Sequence, residues 1–356
     1  MTPATPAPAK SYAPYQVSIE EFRRFRRDGF VTIPGLVPPE DIAELRAHTE
    51  DLMAGRLPQQ DPNTPEKERL PVPPAHLSPL EKAQHVARIH MLHRILPLHE
   101  RYLLHPRVLD VLETLIGPDI LALQTMLFLK PPGSDGQGWH QDTYYIPTHP
   151  DTLCGAWIAI DDVDEFNGAM WMAQGSQVEP VYPPKGPDIG TYGDRHLPGV
   201  PGVGGVSDTD DSRNDLSPVA NRYSQVLVPA KPGDVVFFGG HVLHRSKRNV
   251  TTDRFRRSFV SHYCNARSFT QWGAGWEEND AQHSKYNPET LQSNGSHILA
   301  RGDTHLPYAK PRFGTPCAAL MDPLVRRQSH RFIPAAMGNL ASGDMETKPA
   351  VPEAKP

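Results

Sequence analysis

The feature that most constrains this chain is a change of hydrophobic period at Gly117-Pro118. Before it, apolar residues recur at helical spacing, as in Leu103 to Ile116. After it they gather into short runs, "ILALQTMLFLK", "GAWIAIDDV", "SQVLVPA", "DVVFFGG" and "RSFVSHYCNA", separated by Gly-, Pro- and Asp-containing turns. Helices first and strands afterwards predict an α+β domain whose second part is a mainly antiparallel β-sandwich or barrel. With 356 residues, 38% of them hydrophobic, the chain can bury a substantial core.

The helical part has its own punctuation. Ser18 and Glu21 form a capping box ahead of "IEEFRRFRRDG", with Ile19, Phe22 and Phe25 on one face and Gly29 as the stop. The strand "FVTIPG" follows. Pro39 then opens a second amphipathic helix that turns Ile42, Leu45, Leu52 and Met53 inward and ends near Gly55. Residues 1–16 and the tail 341–356 are rich in Pro, Ala and charge and are expected to be disordered, leaving one domain over 17–340. Within it, the Gly/Pro-rich stretch from Glu179 to Arg222 is too long for a passive connection and reads as a lid or a disordered insert.

Charge and cysteine usage exclude several classes. A net charge of -5, from 36 basic and 41 acidic residues without a basic stripe, argues against nucleic acid. Cys154, Cys264 and Cys317 are too few and scattered for a disulfide framework or a zinc CxxC site, which fits a reducing compartment. No apolar stretch is long enough to span a bilayer, and "MTPATPAPAKSYAPY" lacks the apolar core of an export signal. A soluble cytoplasmic protein is expected.

Chemistry concentrates in "GWHQDTYY". In an extended segment His140 and Asp142 share a face while Gln141 points away, so the two can meet at one metal ion. A third ligand is available in "GGHVLHRS", where His241 and His244 have opposite strand parity and at most one faces the site. Two histidines and a carboxylate around a metal with open positions is the arrangement of non-haem Fe(II) oxygenases. The other histidines considered, His85, His90, His93, His262 and His297, lack partners at ligand spacing and read as structural or exposed. Tyr144 and Tyr145 could touch a substrate or fill the mouth of the barrel.

The segments "QTMLFLKPPG", "WHQD", "GAWIAIDD", "NGAMWMAQGSQ" and "GDVVFFGGHVLHRS", followed by Asn249 and "FRR", resemble the phytanoyl-CoA dioxygenases in family order, over roughly Asp110 to Asn265. The resemblance implies a double-stranded β-helix (jelly-roll or cupin-like) core with flanking N-terminal helices. It implies Fe(II), 2-oxoglutarate and O2 as cofactor and co-substrates, with His140, Asp142 and His244 as iron ligands. His244 is preferred over His241 because Ser246 follows it at the family's spacing. Arg256 and Ser246 would hold the far carboxylate of 2-oxoglutarate, Trp157 and Met126 would line its slot, and Arg88 would be the upstream basic residue.

Residue types agree with those roles. A guanidinium can take a carboxylate in two parallel charge-assisted hydrogen bonds. Arg254 shares the parity of Arg256, whereas Arg257 does not and is expected to face solvent. Trp157 taken alone also reads as core packing. The implied reaction hydroxylates an unactivated C–H bond of a small molecule and releases succinate and CO2. The carboxylate Asp142 disfavours halogenation, for which related enzymes carry a small residue there. The rival readings are a zinc hydrolase and a non-catalytic ligand-binding barrel. Acyl-CoA esters, amino-acid derivatives and secondary metabolites are all substrates in the family, and no feature of this chain selects one.

Overall fold

In the computed structural model, which describes residues 10–57, 70, 72–85, 87–183, 201–268, 270, 297–304, 309, 311 and 313–315, the change of period falls where the sequence puts it. All of these residues lie in one compact unit, Met1–Ala319; residues 1–9 and the expected tail 341–356 lie outside the described residues.

Helix α1 (Ile19–Asp28) carries the Ser18–Glu21 capping box, and Gly29 closes it at φ 85°, a left-handed conformation that glycine adopts without a Cβ clash. Only Phe25 of its expected apolar face is buried; Ile19 is 74% exposed. Strand β1 (Phe30–Ile33) leads to α2 (Pro39–Met53), which buries Ile42, Leu45 and Leu52, and then to α3 (Pro79–His85). The helical pattern expected from Leu103 to Ile116 is two helices, α4 (Pro97–Leu103) and α5 (Pro106–Ile116). Pro106 cannot donate the bond that would continue α4, so it starts a new helix instead.

Residues 10–16 correct the expectation of disorder over 1–16. Lys10 pairs with Asp41 and, at 2.8 Å, with Glu44; the Tyr12 ring lies 4.7 Å from that of His105; the Tyr15 amide donates to Asp110 at 2.8 Å. Charged and aromatic anchors, rather than aliphatic burial, hold this segment to the helical layer.

The strands are β2 (Arg88–His90), β3 (Ile120–Phe128), β4 (Gln137–His140), β5 (Cys154–Ala159), β6 (Met170–Gln174), β7 (Ser224–Val228), β8 (Val235–Gly239), β9 (His244–Ser246), β10 (Ser258–Asn265) and β11 (Ile298–Arg301). One sheet runs β1-β8-β5-β10-β3-β11, with β2 also on β3; the other runs β4-β9-β6-β7. All pairings are antiparallel, giving the jelly-roll core with N-terminal flanking helices that the sequence implies.

Alternation assigns the layers. Trp157, Val236, Phe238 and Val260 of the larger sheet face Met170 and Met172 of the smaller one. Their neighbours Ile158, Val235, Phe237 and Phe259 join Leu45, Leu103, Leu109 and Leu112 of the helices. The central strands are apolar on both faces because both are covered, which is why they read as continuous runs.

The stretch from Glu179 to Arg222 is described in part. Residues 184–200 lie outside the described residues, but 201–222, including α6 (Ser217–Ala220), pack on the outer face of the smaller sheet. Val203, Leu216 and Ala220 there bury Trp139, Ala173 and Leu243. Gly138 permits the close approach: a Cβ on it would stand 1.7 Å from the Asp208 carbonyl oxygen. In this structure residues 201–222 form a packed wall on that face.

Candidate metal centre

Strands β4 and β9 pair so that His140 lies directly opposite His244. Directly opposed residues on one face bring their side chains together, and the two imidazole centroids are 4.1 Å apart. Pairing on β4 ends at His140, yet Gln141 keeps an extended backbone at φ -118°, ψ 131°. The alternation therefore survives one residue beyond the strand and returns Asp142 to the face of His140. A 3-10 turn then begins at Asp142. Gln141 points the other way and donates to the carbonyls of Pro180 and His241.

The donor atoms converge. Nε2 of His140 and Nε2 of His244 each lie 3.6 Å from Asp142 Oδ1, and all three ligand atoms fall within 4.8 Å of one another. Atoms bound at about 2.1 Å to one ion stand no more than about 4.2 Å apart, so small adjustments bring these three around one metal. Each histidine uses Nδ1 on its own chain, His140 on the Gly138 carbonyl at 2.8 Å and His244 on the Val242 carbonyl at 2.9 Å. That arrangement fixes the tautomers with Nε2 as the lone-pair nitrogen facing the centre.

Electrostatics agree. Burial and the neighbouring His244 push His140 down to about 3, so its imidazole is neutral. Burial alone would raise Asp142, but His244, His262 and His140 outweigh it and hold the carboxyl below its usual range. Neutral imidazoles and an ionised carboxylate are the forms a divalent ion needs.

His241 lies outside this group. Its Nδ1 donates to the Glu179 carbonyl at 2.7 Å and its Nε2 pairs with Asp151.

A cavity of about 670 Å³ is lined by His140, Asp142 and His244 and contains Arg88, Met126, Trp157, Ser246 and Arg256 in its wall. The structure thus brings every expected site residue together. Arg256 is 4% exposed, with its guanidinium 5.7 Å from the Trp157 ring and 3.1 Å from Ser258 Oγ. Arg254 pairs with Asp164 at 2.7 Å. Arg257, expected in solvent, instead pairs with Asp161 at 2.8 Å and Glu50 at 3.1 Å beneath the helical layer. Of the three arginines, Arg256 alone has no carboxylate within ion-pair distance among the described residues.

Among the cavity-lining residues that the sequence reading did not assign to the site are His90, Lys130 and His262. Lys130, 7% exposed, sends Nζ to Ser246 Oγ at 3.0 Å and to the Lys247 carbonyl at 2.5 Å; its own carbonyl accepts from the Arg256 amide at 3.0 Å. Burial and Arg256 push its amine down to about 6. His262, assigned to the structural or exposed histidines, lines the cavity with Nε2 2.7 Å from Asp142 Oδ2. Its signal was present: Arg256, Ser258, Val260 and His262 share one strand parity, so an inward Arg256 implies an inward His262.

The centre is therefore a two-histidine, one-carboxylate set beside a buried basic pocket. The chain has relatives of known family and fold. The family described as phytanoyl-CoA dioxygenase (PhyH) matches residues 25–258. The peroxisomal phytanoyl-CoA dioxygenase of Rattus norvegicus is 28% identical over 253 residues, 69% of this chain and 68% of the relative. That of Homo sapiens is 26% identical over 265 residues, 70% and 69%. Among solved structures, the non-haem alpha-ketoglutarate-dependent carbocyclase SnoK from nogalamycin biosynthesis shares the fold at TM-score 0.51 and 22% identity, covering 72% of this chain and 88% of its own. The apo form of EctD from S. alaskensis does so at TM-score 0.52 and 20% identity, covering 76% and 85%. With the family match extending over most of the folded core and both sheets that carry the site, the chain belongs to the phytanoyl-CoA dioxygenase family of iron- and 2-oxoglutarate-dependent oxygenases.

Proposed function

We propose that this oxygenase hydroxylates an unactivated C–H bond of a small molecule, with His140, Asp142 and His244 as its iron ligands. The observation that carries this reading is one cavity holding both the convergent donor atoms and two buried basic side chains, Arg256 and Lys130, that lack carboxylate partners among the described residues. A dicarboxylate co-substrate would answer both needs: one end would go to a metal held by His140, Asp142 and His244, and the other would be received by the Arg256 guanidinium, the Lys130 amine and the Ser246 hydroxyl. Iron with 2-oxoglutarate and O2 supplies the oxidation, converting R–H, O2 and 2-oxoglutarate to R–OH, succinate and CO2.

The chain's own residues position and exclude. Trp157 and Met126 give the co-substrate slot flat and flexible apolar walls, while Arg88, exposed on β2, also lines the cavity. Met170, Ile146 and Phe238 keep water from the reacting atoms. A cavity of about 670 Å³ suits a small molecule alongside the co-substrate. A zinc hydrolase would have no use for the buried basic pair, Arg256 and Lys130, and a non-catalytic barrel would have none for the triad of His140, Asp142 and His244. Among the described residues no helix is long and apolar enough to cross a membrane. The chain between the two tails is read as a single catalytic domain.

The test is anaerobic loading with Fe(II) and 2-oxoglutarate, followed by O2 and a panel of acyl thioesters, amino-acid derivatives and polycyclic metabolites. Succinate formation stimulated by one compound, with a product one oxygen atom heavier, is the expected result. Substrate turnover with zinc and without 2-oxoglutarate would overturn the reading.

A further inference from the structure

Asp142 has two oxygens, and they have different surroundings. Oδ1 faces His140 and His244 at 3.6 Å, whereas Oδ2 accepts from His262 Nε2 at 2.7 Å. His262 is 2% exposed, and its other nitrogen, Nδ1, lies 2.9 Å from Gln124 Nε2. An amide nitrogen only donates, so Nδ1 is the acceptor and the ring proton sits on Nε2, pointed at the carboxylate. The three residues form a buried file from β3 through β10 to the 3-10 turn after β4.

The sheet fixes the direction of this file. Gln124 and His262 are direct partners across β3 and β10, and His262 is in turn opposite Gly155 of β5. Gly155 leaves room for the Phe238 ring, which a Cβ there would meet at 2.5 Å, and that ring stands edge-on to His262 at 6.4 Å. With Phe238 on one side and Gln124 on the other, the imidazole has little freedom to turn.

We infer that His262, its tautomer set by Gln124, is a positioning residue that occupies Asp142 Oδ2 so that the carboxylate offers only Oδ1 to the metal. This rests on the reading of His140, Asp142 and His244 as ligands. The consequence is a count of positions. One-oxygen ligation would give the metal three protein ligands and keep its other positions free for the co-substrates. A carboxylate released from His262 can turn and bind through both oxygens, taking a place the co-substrates need.

The experiment uses the full chain and reads metal binding and spectra apart from turnover. Metal-free wild type, His262→Leu, His262→Gln and Gln124→Leu are titrated with Co(II), recording the dissociation constant and the visible absorption that reports coordination number. Circular dichroism and melting of the metal-free proteins control for folding.

Loss of such an outer hydrogen bond typically costs roughly 10–100-fold in metal affinity. That loss is expected for His262→Leu, with a spectrum shifted towards higher coordination and weaker 2-oxoglutarate binding. His262→Gln, which keeps an N–H donor, should recover most of it. Gln124→Leu, which frees the tautomer but keeps the imidazole, should show a smaller loss in the same direction and decides the matter if His262→Leu does not fold. Wild-type affinity and spectrum in both leucine variants would overturn the inference. If no Co(II) binds the wild type and Asp142→Ala changes nothing, the ligand reading itself has failed.

Discussion

Lys130 Nζ lies 3.0 Å from Ser246 Oγ inside the barrel, with Arg256 as its charged neighbour and no carboxylate within ion-pair distance among the described residues. Burial and that guanidinium hold the amine down to about 6, against an ordinary 10.5. An amine lowered this far is expected to be neutral in the free protein at pH 8, and an arriving carboxylate would recharge it. Binding of 2-oxoglutarate to the Fe(II)-loaded chain should take up close to one proton at pH 8, read by calorimetry in buffers of different ionisation enthalpy. Lys130→Met should bind more weakly without the uptake; uptake unchanged in that variant would remove Lys130 from the pocket's chemistry.

The same shift has a sign for stability. Because the folded value lies below the unfolded one, the unfolded chain binds more protons between about 6 and 10.5. Stability from this group thus rises with pH across that window. Lys130→Met should flatten that rise in urea midpoints measured from pH 6 to 9 without co-substrate.

Ligand choice separates His244 from His241. His244→Ala should abolish tight Co(II) binding and succinate formation, whereas His241→Ala, which breaks only contacts to Glu179 and Asp151, should retain both. The reverse pattern in equilibrium dialysis would reassign the third ligand.

Arg256→Ala should weaken 2-oxoglutarate by roughly tenfold to a hundredfold, since charge-assisted hydrogen bonds contribute about 1.5–3 kcal/mol. Metal affinity should hardly change. Arg254→Ala, which breaks a pair with Asp164 whose side chains are 40% and 41% exposed, should leave the co-substrate constant alone. An unaffected constant in Arg256→Ala would place the carboxylate elsewhere.

Alternation made the centre legible: His140 and Asp142 meet because the chain stays extended one residue past β4, which a two-residue period anticipates. Parity also placed Arg256, but parity gives a face and not what covers it. Arg257 on the opposite face met Asp161 and, from α2, Glu50, where solvent was expected. His262 was missed because its partner Asp142 is remote in sequence, and Lys130 because a lysine before Pro-Pro reads as the exposed end of a strand. The docking of 201–222 was hidden for a different reason: its Gly and Pro content suits a loop whether or not Val203, Leu216 and Ala220 find a surface.

That docked wall depends on Asn214. Its amide Nδ2 donates to the Trp139 and Asp208 carbonyls, both at 3.0 Å, and its Oδ1 accepts from the Leu216 amide at 2.9 Å, with the residue 2% exposed. Asn214→Ala leaves buried carbonyls and an amide short of partners, each costing about 1–3 kcal/mol. Because Trp139 is the residue before His140, the loss should reach the metal ligand as well as the wall. Urea unfolding should show a lower midpoint, Co(II) should bind more weakly, and trypsin should cut at Arg213 or Arg222 faster than in wild type. Asn214→Asp restores the acceptor but no donor, so it should recover little. Midpoint, metal affinity and cleavage rate all unchanged in Asn214→Ala would mean that apolar packing on Trp139 and Leu243 holds 201–222 in place without the polar bridge.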